Sequence, residues 1–185
     1  MTSPRRTLPT PEQAPLFTML ATSEDPPSAQ VNLAPARLMT ASRQRGPHNE
    51  RLLKELTLVE PYHIPLLTSC AAVPDHLTAF SEALTQPSPD PQGWVHFYEH
   101  DHKIERFWKR PEYHLERLRG YAGIVGPDYS ICENMPTAQK VWNTYRNQLL
   151  AAWAQIQGTP VIANVRLSGS DSIAYALAGI PRRST

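Results

Sequence analysis

PTAQKVWNTYRNQLLAAWAQIQGTPVIANVR, from Pro136 to Arg166, is the stretch that decides the fold class. Ala138, Val141, Trp142, Tyr145, Leu149, Ala152, Trp153 and Ile156 recur at spacings of three and four, the period of a helix with one apolar stripe. Pro136 stands in the first turn, where a missing N–H costs nothing, and Gly158 lies just past the last periodic residue. The spacing predicts a helix over 136–157. Pro160 to Val165 then reads as a short apolar strand.

Upstream the same rhythm repeats. Trp94 to Tyr98 is aromatic and β-branched and reads as a strand. Lys103 to Arg119 reads as a helix broken at Pro111, which opens a second helical piece. Tyr121 to Val125 is a buried strand between Gly120 and Gly126, and Asp171 to Ala178 is a short helix stopped by Gly179 and Pro181. Strands joined by crossover helices lie parallel, with right-handed connections. The expectation is an α/β fold: a parallel sheet of three to four strands, either an open doubly wound sheet or part of a β/α barrel.

Nearer the N-terminus, Leu52, Leu53, Leu56 and Val59 have helical spacing closed by Pro61, His63 to Thr68 suits a short strand, and Leu77 to Leu84 suits a helix. Pro-Ser-Pro-Asp-Pro at 87–91 is a loop. Residues 1–48 carry eight prolines and no sustained apolar period, which predicts a disordered proline-rich arm with one docked segment near Leu16 to Leu20. One α/β domain is expected over 49–185, with entry helices and a short strand in 49–92 and the βαβαβα core in 93–185. The chain stops at Arg182 to Thr185, where a further strand is expected, so self-association through an uncovered C-terminal sheet edge is anticipated.

With 185 residues, the length suits one domain. A formal net charge of +1 supplies no global field for nucleic acid or an anionic membrane, so any basic site is a local patch. Cys70 and Cys132, alone and far apart, make neither a zinc motif nor a disulfide framework. The first residues lack the apolar core of a secretory signal, and no apolar run approaches the roughly 20 residues that span a bilayer. A cytoplasmic protein without membrane association is expected.

Ligands of parallel α/β folds bind at the carboxyl ends of the strands. That rule gathers three polar sets: Glu99, His100, Asp101 and His102 after the first strand, Asp128 and Ser130 after the second, and Asn164, Arg166 and Ser168 after the third, with Asp171 beyond. Strand alternation would send Phe97, Glu99 and Asp101 to one face and His96, His100 and His102 to the other. Glu99, Asp101 and Asp128 are candidate catalytic carboxylates, suited to acid–base work or, less favoured, to a divalent metal. The plainer reading is a strand end turning polar, with Asp101 capping the next helix. Ser130, Arg146, Asn164 and Arg166 are candidate ligand-binding residues. Arg166 either pairs with Asp128 or Glu99, or grips a phosphate or carboxylate with its planar fork. Arg146 shares a strip with Gln139, Asn143 and Asn147 that reads as a solvated helix face. Cys132 has no accompanying base. From Lys103 to Arg119, six Lys or Arg stand against three Glu, interleaved with Phe107, Trp108 and Tyr113; this suits single-stranded nucleic acid, or a core helix with a wet outer face.

From about Ile64 onward the chain resembles a bacterial and phage family, domain of unknown function 4417. The resemblance rests on Trp94 to Asp101, Phe107-Trp108 with Pro111 and Tyr113, Gly126-Pro-Asp128-Tyr-Ser130, Met135-Pro136, Tyr145-Arg146-Asn147, and Gly158 to Arg166. The family often has Trp where Leu167 stands, and usually runs on past a Gly-Ile-Pro like 179–181 into another strand and helix. The resemblance implies a phage or plasmid setting and no particular activity. Two functions remain open: an accessory protein that binds nucleic acid or a host protein, and a hydrolase-like enzyme with a carboxylate/Arg site on the rim.

Overall fold

The structure, a computed structural model, describes residues 46–182; the proline-rich arm expected over 1–48 lies, up to residue 45, outside the described residues. Four short parallel strands make the sheet: β3 (Leu77–Ala79), β4 (Trp94–His96), β5 (Gly123–Val125) and β6 (Val161–Ile162). A separate antiparallel pair precedes it, β1 (Leu58–Val59) with β2 (Ile64–Pro65). The helices are α1 (Phe80–Ala83), α2 (Asp101–Lys109), α3 (Pro111–Arg117), α4 (Thr137–Ile156) and α5 (Ile173–Ala176).

The strands are neighbours in chain order, β3-β4-β5-β6, all parallel. An order without reversal has no topological switch point, so the site belongs to the rim rather than to a crevice between sheet halves. Register sets Thr78, Val95, Ile124 and Val161 side by side across the sheet. Val95, Ile124 and Val161 are buried and join one core with Phe80, Phe97, Ile104, Phe107, Leu149, Leu150 and Trp153. Phe80, Phe97 and Phe107 pack ring on ring, with Phe97 and Phe107 stacked at 5.3 Å. On the other side of β4, Trp94 stands in register with Gly123. A methyl group at position 123 would lie 2.5 Å from the Trp94 ring and 2.6 Å from the Pro160 carbonyl, so only glycine admits the close approach.

Three local expectations are corrected. Leu52 to Val59 is not a helix: a 3-10 turn over Glu50–Leu53 gives way to β1, because Glu55 takes φ +72° and a left-handed residue cannot continue a right-handed helix. Leu77 to Ala79, expected as helix, is an edge strand that pairs with Trp94 to His96, and only Phe80–Ala83 is helical; strand pairing outweighs a local apolar spacing that either element would satisfy. The strip on α4 is solvated only at Gln139, since Asn143 and Asn147 are both buried and Arg146 is half-buried. α4 lies against β2, β6, α5 and the 3-10 turn, so its middle is enclosed on more than one side. Trp153 is in the core, and Trp142 and Tyr145 are partly buried against it.

Gly46 to His48 also have fixed neighbours. Trp108 Nε1 donates to the Pro47 carbonyl at 3.1 Å, and His48 packs edge-on against Trp142 at 5.5 Å. Among the described residues no helix is long and apolar enough to cross a membrane.

Candidate functional site

β4 ends at His96, Phe97 turns into the core, and the chain runs through Glu99 and His100 into α2. The alternation expected through Asp101 therefore stops early, because Asp101 and His102 are already helical. Glu99 is largely buried. It accepts from the Ser81 N–H at 2.8 Å, from the Ser81 hydroxyl and from Lys103 Nζ at 2.7 Å. Burial raises its carboxyl, but these donors and the ammonium charge more than offset that and hold it at about 2. Glu99 thereby fastens the start of α1 to the start of α2.

Asp101 does not cap its helix as expected. It occupies the first helical position, and its Oδ1 reaches across to the loop after β5, accepting from Ser130 N–H at 3.1 Å and Ser130 Oγ at 2.8 Å. That loop, Gly126-Pro-Asp-Tyr-Ser130, is buried through Tyr129. Its first residue still reaches β6, with the Gly126 N–H donating to the Ile162 carbonyl at 2.9 Å, but past Gly126 no strand of the described residues pairs with it, so its backbone groups need side-chain partners. Two come from α4. Asn147 bonds both the N–H and the carbonyl of Tyr129, at 2.7 and 3.3 Å, and Asn143 Nδ2 donates to the Ser130 carbonyl at 2.6 Å.

Asp128 is the buried centre of the rim. It accepts from Asn164 Nδ2 at 2.9 Å on one oxygen and from an Arg166 Nη on the other. Asn164 Nδ2 also reaches the Pro127 carbonyl at 3.2 Å. Burial raises the Asp128 carboxyl, the Asp101 charge adds to the rise, and the Asn164 and Arg166 hydrogen bonds and the Arg166 charge oppose it. Arg166 itself is 39% exposed. One Nη is committed to Asp128, and its other N–H groups have no partner among the described residues.

These groups border an open cleft of about 920 Å³. Glu99, Asp101, Asp128, Ser130 and Arg166 line it, with Asn164 holding Asp128 from behind. Arg146 is elsewhere. Its guanidinium carbon lies over the Tyr129 ring, 3.6 Å from the centroid, and the group bonds Glu105 and Asn143, at 3.1 and 2.6 Å. Ser168 and Asp171 are also off the cleft, and Asp171 pairs with the buried Lys140 at 3.3 Å. Cys132 is exposed, and its N–H points to the Met135 sulfur at 3.2 Å.

The cleft has members that sequence reasoning did not assign: Lys103, half-buried, and Tyr98, exposed. Lys103 was legible as the i+4 partner of Glu99. Ser81 carried no signal, being 18 residues from its partner Glu99. Among the described residues no three His, Cys, Asp or Glu side chains are grouped so as to hold a metal ion. Phe107 and Trp108 are buried, so the base-stacking role open to them in the sequence is corrected to a core role.

Residues 56–185 match the family described as Domain of unknown function (DUF4417). The chain belongs to that family. The DUF4417 segment contains the whole parallel sheet and every residue of the cleft. Its relatives include the Gene 1 protein of Mycobacterium phage L5, 32% identical over 125 residues, 67% of this chain and 55% of that protein. The Gene 1 protein of Mycobacterium phage D29 is 31% identical over 125 residues, 67% of this chain and 46% of that protein. The chain spans about half the length of these curated relatives, and no solved structure matches it. The phage setting anticipated from the DUF4417 resemblance is that of these relatives.

Proposed function

We propose that the domain binds a small ligand bearing a phosphate or carboxylate in the rim cleft. The observation that supports this reading is the arrangement of Arg166. Asn164 fixes the buried Asp128 carboxylate, and Asp128 orients a guanidinium that lines the cleft with donors to spare. A planar fork held in this way is suited to an oxyanion. Lys103, paired with Glu99, adds a second cation to the lining of the cleft. The nearby carboxylates limit the site to ligands that also offer donors, because Glu99, Asp101 and Asp128 repel a bare polyanion.

Thermal melts test the reading, with inorganic phosphate, a nucleoside monophosphate and a dicarboxylate as probes. A true ligand at a hundredfold excess over its dissociation constant stabilises the fold by about 2.7 kcal/mol. Arg166→Gln should abolish that response. A wild-type protein that responds to none of the probes overturns the reading.

A hydrolase-like enzyme is the second reading, and one observation favours it. Asp128, raised by burial, lies near enough to Asp101 to feel its charge, and a buried carboxyl raised in this way is suited to hold and pass on a proton. Turnover of a simple phosphate ester that is lost in both Asp128→Asn and Asp101→Asn would support catalysis. Turnover unchanged by either substitution would reject it.

A further inference from the structure

The outer face of α2 and α3 carries charge that the cleft does not use. The carboxylates of these helices are largely engaged. Arg51 grips Glu112 through two nitrogens at 2.8 and 3.0 Å, Arg119 pairs with Glu116 at 2.8 Å, and Glu105 takes Arg146. Arg106, Lys109 and Arg110 have no carboxylate partner among the described residues, and all three are exposed. Arg106 and Arg110, the C-cap residue, are four apart and both lie near His114, and Lys109 adjoins them as the last residue of α2. Arg110 lies over the Tyr113 ring at 5.0 Å, and that ring is 53% exposed. Arg106, Arg110 and Arg117 all lie near the buried His114, which burial and then these three charges lower. The chain's net charge is only +1, so this cluster is a segregated patch rather than part of a general excess.

We propose that this face binds single-stranded nucleic acid, with Arg106, Lys109 and Arg110 on successive phosphates and Tyr113 stacked on an unpaired base. Guanidinium groups beside an exposed aromatic ring are what sequence-tolerant single-strand binding requires, since every base has a π-face and every nucleotide a phosphate. The surface is independent of the rim cleft.

The test is a fluorescence titration of the full chain with labelled 20-mers of deoxythymidine and of uridine, and with a duplex, at several salt concentrations. Wild type should bind a single strand more tightly than the duplex, with affinity falling as salt rises; the tighter of the two single-stranded arms identifies the strand type. The triple variant Arg106→Gln, Lys109→Gln, Arg110→Gln should weaken binding and flatten the salt slope by about 2, at roughly 0.7 per lost phosphate contact. Tyr113→Ala should weaken it by about fivefold to about a hundredfold, the loss of one stacked base, whereas Tyr113→Phe should retain it. These side chains are exposed, so the melting temperature should hold in each variant, and Arg106→Lys with Arg110→Lys should keep most of the affinity if folding is sound. Melts with phosphate should be unaffected by the triple variant. No single-strand binding at low salt overturns the proposal. So does equal binding of duplex, or binding indifferent to the triple variant or to Tyr113→Ala.

Discussion

Asn147 clasps the peptide of Tyr129 with both ends of its amide: Oδ1 accepts from the Tyr129 N–H at 2.7 Å, and Nδ2 donates to the Tyr129 carbonyl at 3.3 Å. A side-chain amide here does what a neighbouring strand does for a backbone in a sheet. Tyr129 has no exposed surface, so neither backbone group can turn to water. With Asn143 and Asp101 on Ser130, the clasp fixes the loop that carries Asp128, and so links the long helix to the rim.

Asn147→Ala should therefore destabilise the fold by about 1–3 kcal/mol, the cost of leaving a buried donor unpaired. Chemical denaturation measures the loss, and amide exchange at Tyr129 should accelerate beyond the global change. An unchanged midpoint would mean that the loop is held by other contacts.

Gly123→Ala should cost about 1–3 kcal/mol, because the added methyl meets the Trp94 ring and the Pro160 carbonyl inside a packed sheet. Gly126→Ala, with nothing closer than 3.4 Å to the new methyl, should change stability by about 0.5 kcal/mol or less. Paired denaturation curves compare the two directly.

Acid sensitivity should have two identifiable sources. Glu99 is depressed from 4.5 to about 2, so the unfolded chain takes up its proton first as pH falls. Its contribution is fully present above about pH 4.5 and is lost as pH falls toward 2. His114 is lowered from 6.5 by burial and then by its arginine neighbours, so the unfolded chain again binds the proton first, and stability declines as pH drops below 6.5. Stability against pH should lose its upper step in His114→Gln and its lower step in Glu99→Gln. A curve of unchanged shape in both variants would contradict these assignments.

Much of the architecture was legible because it is local. The apolar spacing of Val141, Leu149 and Trp153 marks α4, the aromatic and β-branched run at Trp94 marks β4, and the rule that ligands meet strand ends collects Glu99, Asp101, Asp128 and Arg166 from sequence alone. What was not legible depends on distant partners. Asn143 and Asn147 look like a wet helix face until the backbone of residues 129 and 130 is placed against them. Arg146 looks like a ligand-binding residue until Tyr129 and Glu105 enclose it. Leu77 to Ala79 has apolar spacing that a helix would also satisfy, and only its pairing with β4 makes it a strand.

The Asp128–Arg166 pair should respond asymmetrically to the loss of each partner. Asp128 is buried, whereas Arg166 is 39% exposed. Arg166→Gln leaves a desolvated carboxylate without its counter-charge, and the Asn164 bond alone must hold it. Asp128→Asn leaves an arginine that can hydrate, in a loop whose shape is kept. Breaking a fully buried pair costs about 3–5 kcal/mol; with one partner in contact with water the cost here should be nearer 1–3 kcal/mol for Arg166→Gln, and smaller for Asp128→Asn. The pH dependence separates charge from packing. Burial already raises the Asp128 carboxyl, so without Arg166 it should rise further. The folded state then binds the proton before the unfolded state does, so stability is lost as pH rises through the folded value and regained in acid. Arg166→Gln should therefore recover part of its deficit when the pH is lowered toward 4, a gain that the neutral Asn of a double variant, Asp128→Asn with Arg166→Gln, cannot show. Ligand response should divide in the opposite way, with phosphate protection lost in Arg166→Gln and kept or strengthened in Asp128→Asn, where a repelling charge is gone. Denaturation curves at several pH values, with and without phosphate, read both effects. Equal costs that do not change with pH would show that Asp128 and Arg166 are not coupled through charge.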